Sequence, residues 1–224
     1  MSPEFESSFL YYAALSFDKQ LNMANVIGER GWSADLDAGT LAFGEQGSPD
    51  SVLEFDIQVL GSAAEGSATW MWAWANPSIP DNLSLASTLL RDKVAIPEFA
   101  TQEFPINFDS ADEHRIAMTC GGYLNADAYY RGPFPGGAAF FLIRDPRLQL
   151  AAPDIIHIST LFPQLISALS VSDHRAAFMN YLERWQIQAQ VEGDEVRVAI
   201  ANSSLTAHFD GQNRLSNMEV NARP

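Results

Sequence analysis

The sequence is poor in the residues that build metal centres and covalent cross-links. It contains a single cysteine, Cys120, which excludes an intramolecular disulfide and any site that needs several thiolates. Its four histidines show neither a His-x-x-x-His nor a His-Glu-x-x-His spacing. A Gly-x-Ser-x-Gly elbow and a phosphate-binding glycine loop are also missing. The sequence therefore predicts no metal, no cofactor and no catalytic residue, and it favours a protein that is not an enzyme.

Long apolar runs and a basic N-terminus are missing as well. The longest late stretch without charge, residues 155–172, contains Pro163 and several polar residues, so it is too polar to cross a membrane. The N-terminus is acidic where a secretory signal carries Lys or Arg. We therefore expect a cytoplasmic protein that does not interact with a membrane.

Basic side chains are scarce, with 13 Lys and Arg against 28 Asp and Glu and a formal charge of −15. This balance repels phosphates and argues against a nucleic-acid partner. Residues 1–60 carry more than half of the charge, −8, because Lys19 and Arg30 stand against ten acidic residues: Glu4, Glu6, Asp18, Glu29, Asp35, Asp37, Glu45, Asp50, Glu54 and Asp56. One interpretation is a solvated surface that keeps the protein soluble. The other is a docking surface for a basic protein, formed by Glu4, Glu6, Asp35, Asp37 and Asp56.

Hydrophobic residues make up 47% of the chain, which predicts a folded protein. Ser2-Pro3-Glu4 is typical of a helix start, and apolar residues at spacings of three and four extend that helix to Gly28 or Gly31. The pattern then predicts strands at 32–36, 40–43, 53–60 and 69–75, helices at 80–93 and 110–124, and strands at 128–131 and 138–143. Residues 94–109 are expected to be irregular, and Ser110 is expected to cap the helix that follows it.

The last third predicts two helices followed by four short strands. Pro163 should kink or split the first helix, and Ser172 should cap the second. The fold class is therefore α+β, with antiparallel sheets packed against helices. We expect a main unit at 1–145 and a smaller unit at 153–224 packed on it. The two units together can also be counted as one domain. Both ends of the chain show a helix, then a Trp, then a run of four strands. This likeness reflects either a duplication or simply the fact that such units are common in α+β proteins.

Residues 69–76 contain three tryptophans at alternate positions. On a strand, Trp70, Trp72 and Trp74 would share one face, where they would either pack in the core or stack on a ligand. The second notable segment, residues 126–137, places Tyr130 and Arg131 beside a turn rich in proline and glycine. It would form either a tight hairpin whose arginine pairs with a carboxylate or a lip that binds anions or peptides.

A binding site between these two segments is the alternative to the acidic docking surface. In it, tryptophans would stack on a small molecule, and polar groups of both segments would hydrogen-bond it. Its residues would be Trp72, Trp74, Asn76, Tyr130, Arg131 and Phe134. Other candidates are weaker: residues 113–115 (Glu-His-Arg) are expected to be a solvated cluster, and Cys120 a small buried hydrophobic residue.

Four segments resemble a bacterial family of unknown function. They are residues 32–41, 69–76 with the pattern T-W-x-W-A-W-A-N, 128–133 with Y-Y-R-G-P, and 136–141. The resemblance implies a bacterial cytoplasmic protein, and it carries over no activity and no catalytic residue, because that family has none assigned. The sequence thus favours an interaction protein that neutralises or chaperones a basic partner, with a small-molecule-binding protein or enzyme as the alternative.

Overall fold

The structure of the chain is a computed structural model that describes residues 1–44 and 52–222. Within these residues the helices are α1 (Pro3–Ile27), α2 (Leu85–Lys93), α3 (Pro97–Ala100), α4 (Asp112–Tyr123), α5 (Ile155–Ala168) and α6 (His174–Arg184). The strands are β1 (Trp32–Asp35), β2 (Thr40–Phe43), β3 (Leu53–Ala64), β4 (Thr69–Trp72), β5 (Glu103–Pro105), β6 (Ala128–Phe134), β7 (Gly137–Ile143), β8 (Ala189–Glu192), β9 (Glu195–Ile200), β10 (Ser203–Phe209) and β11 (Leu215–Asn221).

The strands form two antiparallel sheets. The larger sheet has seven strands: β1 to β5 follow chain order, β7 also pairs with β3, and β6 pairs with β7. The smaller sheet contains β8 to β11 in chain order. Helices pack against both sheets, so the predicted α+β class is confirmed. Both predicted four-strand runs are meanders, and descent from a duplication stays a hypothesis.

Helix α1 begins as the sequence predicts. The Ser2 hydroxyl accepts a hydrogen bond from the Phe5 N–H (3.2 Å), and Pro3 occupies the first helical position. The helix ends at Gly28, whose φ of 58° is unfavourable for other residues. Its fully buried face includes Phe5 and Phe9, and the helix packs against α4 and α6.

The larger sheet has a hydrophobic cluster on each face. One cluster includes Phe9 of α1, Trp70 of β4 and Phe140 of β7, and it continues into Phe162 of α5 and Phe209 of β10. The other cluster includes Phe43, Phe55, Tyr130 and Ile143. The first cluster contains buried side chains from before residue 145 and from after residue 153, so it connects the two predicted units. A domain boundary between them stays a prediction.

Two strand predictions near the candidate ligand site are wrong in detail. Strand β4 ends at Trp72, and residues 73–75 form a 3₁₀ turn. The reason is that β4 pairs with β3 only as far as Gly61. At the same place, between Val59 and Gly61, the pairing of β3 with β7 shifts its register. The predicted loop at 132–137 is a two-residue turn at Pro135 and Gly136 between longer strands.

Several local predictions also need correction. The N-cap of α4 is Ala111 in the left-handed conformation, and Ser110 provides no cap. The N-cap of α6 is Asp173, whose carboxylate accepts from the Ala176 N–H (2.7 Å), and Ser172 has no such role. Helix α5 continues through Pro163, with buried apolar residues on both sides of the proline holding it in the core. Residues 94–109 are more regular than expected, because they contain α3 and β5.

Candidate functional site

Trp70 and Trp72 are core residues. Both are 0% exposed, and the Trp72 indole N–H donates to the Glu98 carbonyl (2.8 Å) while its ring contacts Phe99 edge-on at 5.4 Å between centroids. Trp72 therefore has no surface on which a ligand can stack while this packing persists.

Trp74 and Asn76 have local partners outside the strand. Arg91 of α2 lies over the half-buried Trp74 ring, 4.9 Å from its centroid. The Asn76 side-chain oxygen accepts from the Ser78 N–H (3.0 Å) and so stabilises the turn after the 3₁₀ segment. Neither contact leads to the β6–β7 hairpin.

The residues predicted on the hairpin are divided between the two faces of the sheet. Tyr130 packs edge-on against Phe43 (4.8 Å between centroids), within the cluster that includes Phe55 and Ile143. Arg131, the next residue of β6, points to the other face and lies 3.9 Å from the Glu65 carboxylate. Phe134 is exposed near the hairpin turn. These side chains and Trp72 therefore cannot contact one ligand together.

The predicted acidic surface is divided as well. Glu4 and Glu6 lie in the first turn of α1, and Glu6 accepts two hydrogen bonds from Arg115 (2.6 and 2.5 Å). The β1–β2 hairpin follows the other end of this 25-residue helix, about 37 Å away. Glu45 and Asp50 lie outside the described residues.

Carboxylates do come together on one face of β1, β2 and β3. Asp35 of β1 is opposite Thr40 of β2, which is opposite Asp56 of β3, and Glu54 is opposite Ala42 in the next row of that face. Asp35, Glu54 and Asp56 are exposed, and in the described part of the chain their carboxylates form no salt bridge with Lys or Arg. The Arg147 guanidinium lies nearby and donates to the backbone carbonyl of Glu54 (2.5 Å). We call Asp35, Glu54 and Asp56 the acidic face.

Asp37 and a shallow cavity adjoin the acidic face. The Asp35 carboxylate accepts the N–H groups of Asp37 and Ala38 (both 2.9 Å), which fixes the turn and leaves the Asp37 side chain exposed. The cavity, of about 560 Å³, is lined by nine residues: Ser33, Ala34, Asp35, Leu36, Asp37, Ala38, Thr40, Ala42 and Glu54.

An apolar groove continues from the acidic face. It has a volume of about 340 Å³, and Asp56 belongs to its lining as well as to the acidic face. Helix α2 provides one wall with Leu85 and Leu89, and Leu142 of β7 and Leu124 after α4 provide others. Gln58 fixes α2 here, because its side chain accepts from the Ala86 N–H (3.1 Å) and donates to the Asn82 carbonyl (2.9 Å). We call this cavity the α2 groove.

The first turn of α4 holds buried polar groups where a solvated cluster was expected. Arg115 bridges Glu6 and Asp112 (3.0 Å to the Asp112 carboxylate), and its guanidinium lies 4.5 Å from the Phe9 ring centroid. Arg115 and Glu113 are both buried, so the prediction of a solvated cluster is wrong. The reason is that α1 packs directly over this turn.

His114 lies beside these groups and contacts the sheet. Its Nδ1 is 2.8 Å from the Tyr129 hydroxyl, and Nε2 is 3.9 Å from Glu113. Burial, together with the positive charge of Arg131, lowers the His114 pKa to about 4. Burial raises the pKa of Glu113 and of Tyr129. The cluster therefore favours a neutral imidazole near pH 7.

A second buried polar site connects α1 with α5 and α6. The Asp18 carboxylate is 2% exposed and accepts from His157 Nε2 and from the Tyr181 hydroxyl, each at 2.7 Å. Burial and the bond to Asp18 raise the Tyr181 pKa above its usual range. This carboxylate holds three helices together.

The described residues give little support for a reactive thiol or a metal site. Burial raises the pKa of the Cys120 thiol, which disfavours the nucleophilic thiolate. No three His, Cys, Asp or Glu side chains in the described ranges are grouped to hold a metal ion. None of the helices in the described part combines the length and the apolar character that crossing a membrane requires.

Sequence reasoning missed the α2 groove and the place of Glu54 in the acidic face. Leu85 and Leu89 are four residues apart, a spacing that signals a shared helix side, but the sequence does not tell whether that side is covered. Glu54 and Asp56 alternate on a strand, and only the pairing of β3 with β2 and β1 brings Asp35 beside them.

The fold and these features define an α+β protein with an acidic sheet face beside an apolar groove. The chain belongs to the Family of unknown function (DUF6882), whose sequence profile matches residues 7–146, so the resemblance to a family of unknown function is confirmed. The acidic face and the α2 groove both lie inside the matched range, and α5, α6 and the smaller sheet lie outside it. No curated protein and no solved structure matches the chain significantly.

Proposed function

We propose that the protein is a non-enzymatic interaction module whose acidic face binds a basic segment of a partner protein. The observation that carries the proposal is the group of exposed carboxylates on one face of the larger sheet, Asp35 of β1 and Glu54 and Asp56 of β3, which form no salt bridge with Lys or Arg in the described residues. Some acidic groups elsewhere in the protein are paired, as in the contacts of Arg115 with Glu6 and Asp112.

Electrostatics favours a cationic occupant for this face. Glu54 and Asp56 lie two residues apart on the same side of β3, and Asp35 lies about 10 Å from Asp56 across β2, so their like charges repel one another and a bound Lys or Arg side chain relieves that repulsion. The net charge of −15 adds a field that attracts basic molecules and speeds their association. Because the carboxylates are exposed, each contact contributes modestly, so binding should need several of them and weaken with salt.

Binding of a fluorescent oligolysine peptide, followed by anisotropy at low and high salt, tests the proposal. The test variant is D35N/E54Q/D56N, which keeps side-chain size and the Asp35 acceptor. The matched control is D109N/E183Q/D194N, which removes the same charge from exposed carboxylates elsewhere. We expect the test variant to bind about tenfold more weakly at low salt and the control to change by about twofold or less.

Two results would contradict the proposal. Equal weakening by both variants would mean that the peptide senses only net charge. Binding by the unmodified protein that does not respond to salt between about 0.02 and 0.5 M would remove the electrostatic basis.

A further inference from the structure

We infer that the basic segment is an amphipathic α-helix, whose apolar side fills the α2 groove while its cationic side lies on the acidic face. This inference rests on the proposed function and adds the conformation and the apolar half of the partner segment. It follows from the apolar surface of α2, from the continuity of groove and face, and from their combined size.

The apolar surface of α2 is not covered by any of the residues that the structure describes. Leu85 and Leu89 are 60% and 48% exposed and lie on one side of the helix, whereas Ser87 and Leu90 face the core. Across the groove lie Leu124 and Leu142, so two walls present apolar carbon to the same cavity. Apolar side chains that enter it would be removed from water on both sides.

The groove and the acidic face form one continuous surface. Asp56 lines the groove, and its neighbour across β2, Thr40, lines the cavity on the acidic face. Arg144 stands at the groove with its guanidinium bonded to the Leu124 carbonyl, so the end near β7 is positive. A ligand must therefore place its cations toward Asp56 and Asp35 and its apolar groups toward Leu142.

The dimensions favour a peptide segment as the occupant. Asp35 and Asp56 are two strand spacings apart, about 10 Å, and the width of a helix-lined groove adds a similar distance. A ligand that reaches from Asp35 to α2 therefore covers about 20 Å, which is more than a single side chain covers. A helix about 10–12 Å across that lies along the boundary between face and groove presents its cationic side to the acidic face and its apolar side to the α2 groove at once, and its lysine side chains extend further toward Asp35.

Two peptides of identical composition provide the test. The first is an amphipathic helix of Lys, Leu and Ala, about 14 residues long, with leucines on one side, and the second is its scramble without a sided pattern. By isothermal titration, the amphipathic peptide should bind about tenfold more tightly than the scramble. In L85S/L89S this preference should disappear, while the affinity for oligolysine stays unchanged.

The control variant is I156S/V191S, which removes two similarly exposed apolar side chains that do not line the groove and should keep the preference. Circular dichroism of each variant checks the fold, and the exposure of Leu85 and Leu89 predicts that it is retained. Equal affinity for the two peptides, with D35N/E54Q/D56N still weakening both, would overturn the helix inference and leave the proposed function intact. Binding of neither peptide nor oligolysine at low salt would overturn the proposed function itself.

Discussion

Two sets of carboxylates from the first 60 residues have opposite environments in the folded protein. Glu6 and Asp18 of α1 accept hydrogen bonds from Arg115, His157 and Tyr181. Asp35, Glu54 and Asp56 of the acidic face are exposed and form no salt bridge within the described residues, although the Asp35 carboxylate accepts two backbone N–H groups of its turn. The comparison shows that a strongly acidic segment of sequence is not one surface. Its charges separate into groups that hold helices together and groups that remain available to a partner.

The difference arises from the element that carries each set. A helix packed by other helices on several sides buries its polar residues, and a buried carboxylate is stable only when donors satisfy it. No described segment covers the face of β1 to β3 that carries the second set, so water reaches its carboxylates, and the turn N–H groups also bond to Asp35. We therefore expect substitutions in the first set to change stability and substitutions in the acidic face to change binding.

The largest effect should come from Asp18→Ala. This change leaves the buried Tyr181 hydroxyl without its acceptor and removes the partner of His157. We expect the free energy of unfolding, measured with urea, to fall by about 3 kcal/mol. Affinity for oligolysine under native conditions should not change.

Asp18→Asn is the conservative companion to this variant. It keeps the volume and one acceptor oxygen, so it should lose less stability than Asp18→Ala. If Asp18→Ala lowered the free energy of unfolding by less than about 0.5 kcal/mol, the Asp18 carboxylate would not stabilise the packing of the helices. The proposed difference between the two sets of carboxylates would then be contradicted for the buried set.

An intermediate effect should appear as a pH dependence at His114. Its pKa in the folded protein, about 4, lies below the ordinary value of 6.5, so the unfolded chain binds the proton more readily between these values. Stability should therefore fall as the pH is lowered from 6.5 to 4. We expect a loss of about 2 kcal/mol, reduced from the full shift because the ring is 34% exposed.

The imidazole can be followed directly by NMR, where its titration midpoint should lie near 4. His114→Gln removes the titrating group and should flatten the stability curve in this window relative to the unmodified protein. Glu113, Arg131 and Tyr129 also face the ring, and they remain in place in this variant. A titration midpoint near 6.5 would show that the His114 ring is solvated, which would contradict this prediction.

The sequence predicts most of the secondary structure because its signals are local. The start of α1 at Ser2 and Pro3 and the hairpin around Gly39 are set by neighbouring residues, and both appear as expected. For Trp70 and Trp72 the sequence allows either core packing or stacking on a ligand, and the structure places both in the core, where large aromatics on an apolar strand are usually found.

The candidate site was less predictable because it depends on contacts distant in sequence. Tyr130 and Arg131 are adjacent in the chain, yet strand alternation sends them to opposite sides of the sheet. Arg115 and Glu6 are 109 residues apart, so nothing local identifies their pairing. The α2 groove exists only because α2 and α4 leave part of the sheet uncovered between them.

The smallest effect on stability should come from D35N/E54Q/D56N, although this variant has the larger expected effect on binding. The three carboxylates are exposed and form no salt bridge in the described residues, and Asn at position 35 keeps an acceptor for the turn N–H groups. Their neutralisation therefore removes no ion pair and lessens the repulsion among the three charges. We expect the free energy of unfolding to stay within about 0.5 kcal/mol of the original, or to rise by that amount at low salt. Urea denaturation at two salt concentrations measures this change. A loss of more than about 2 kcal/mol would show that the acidic face contributes to folding, and the distinction between the two sets of carboxylates would no longer hold.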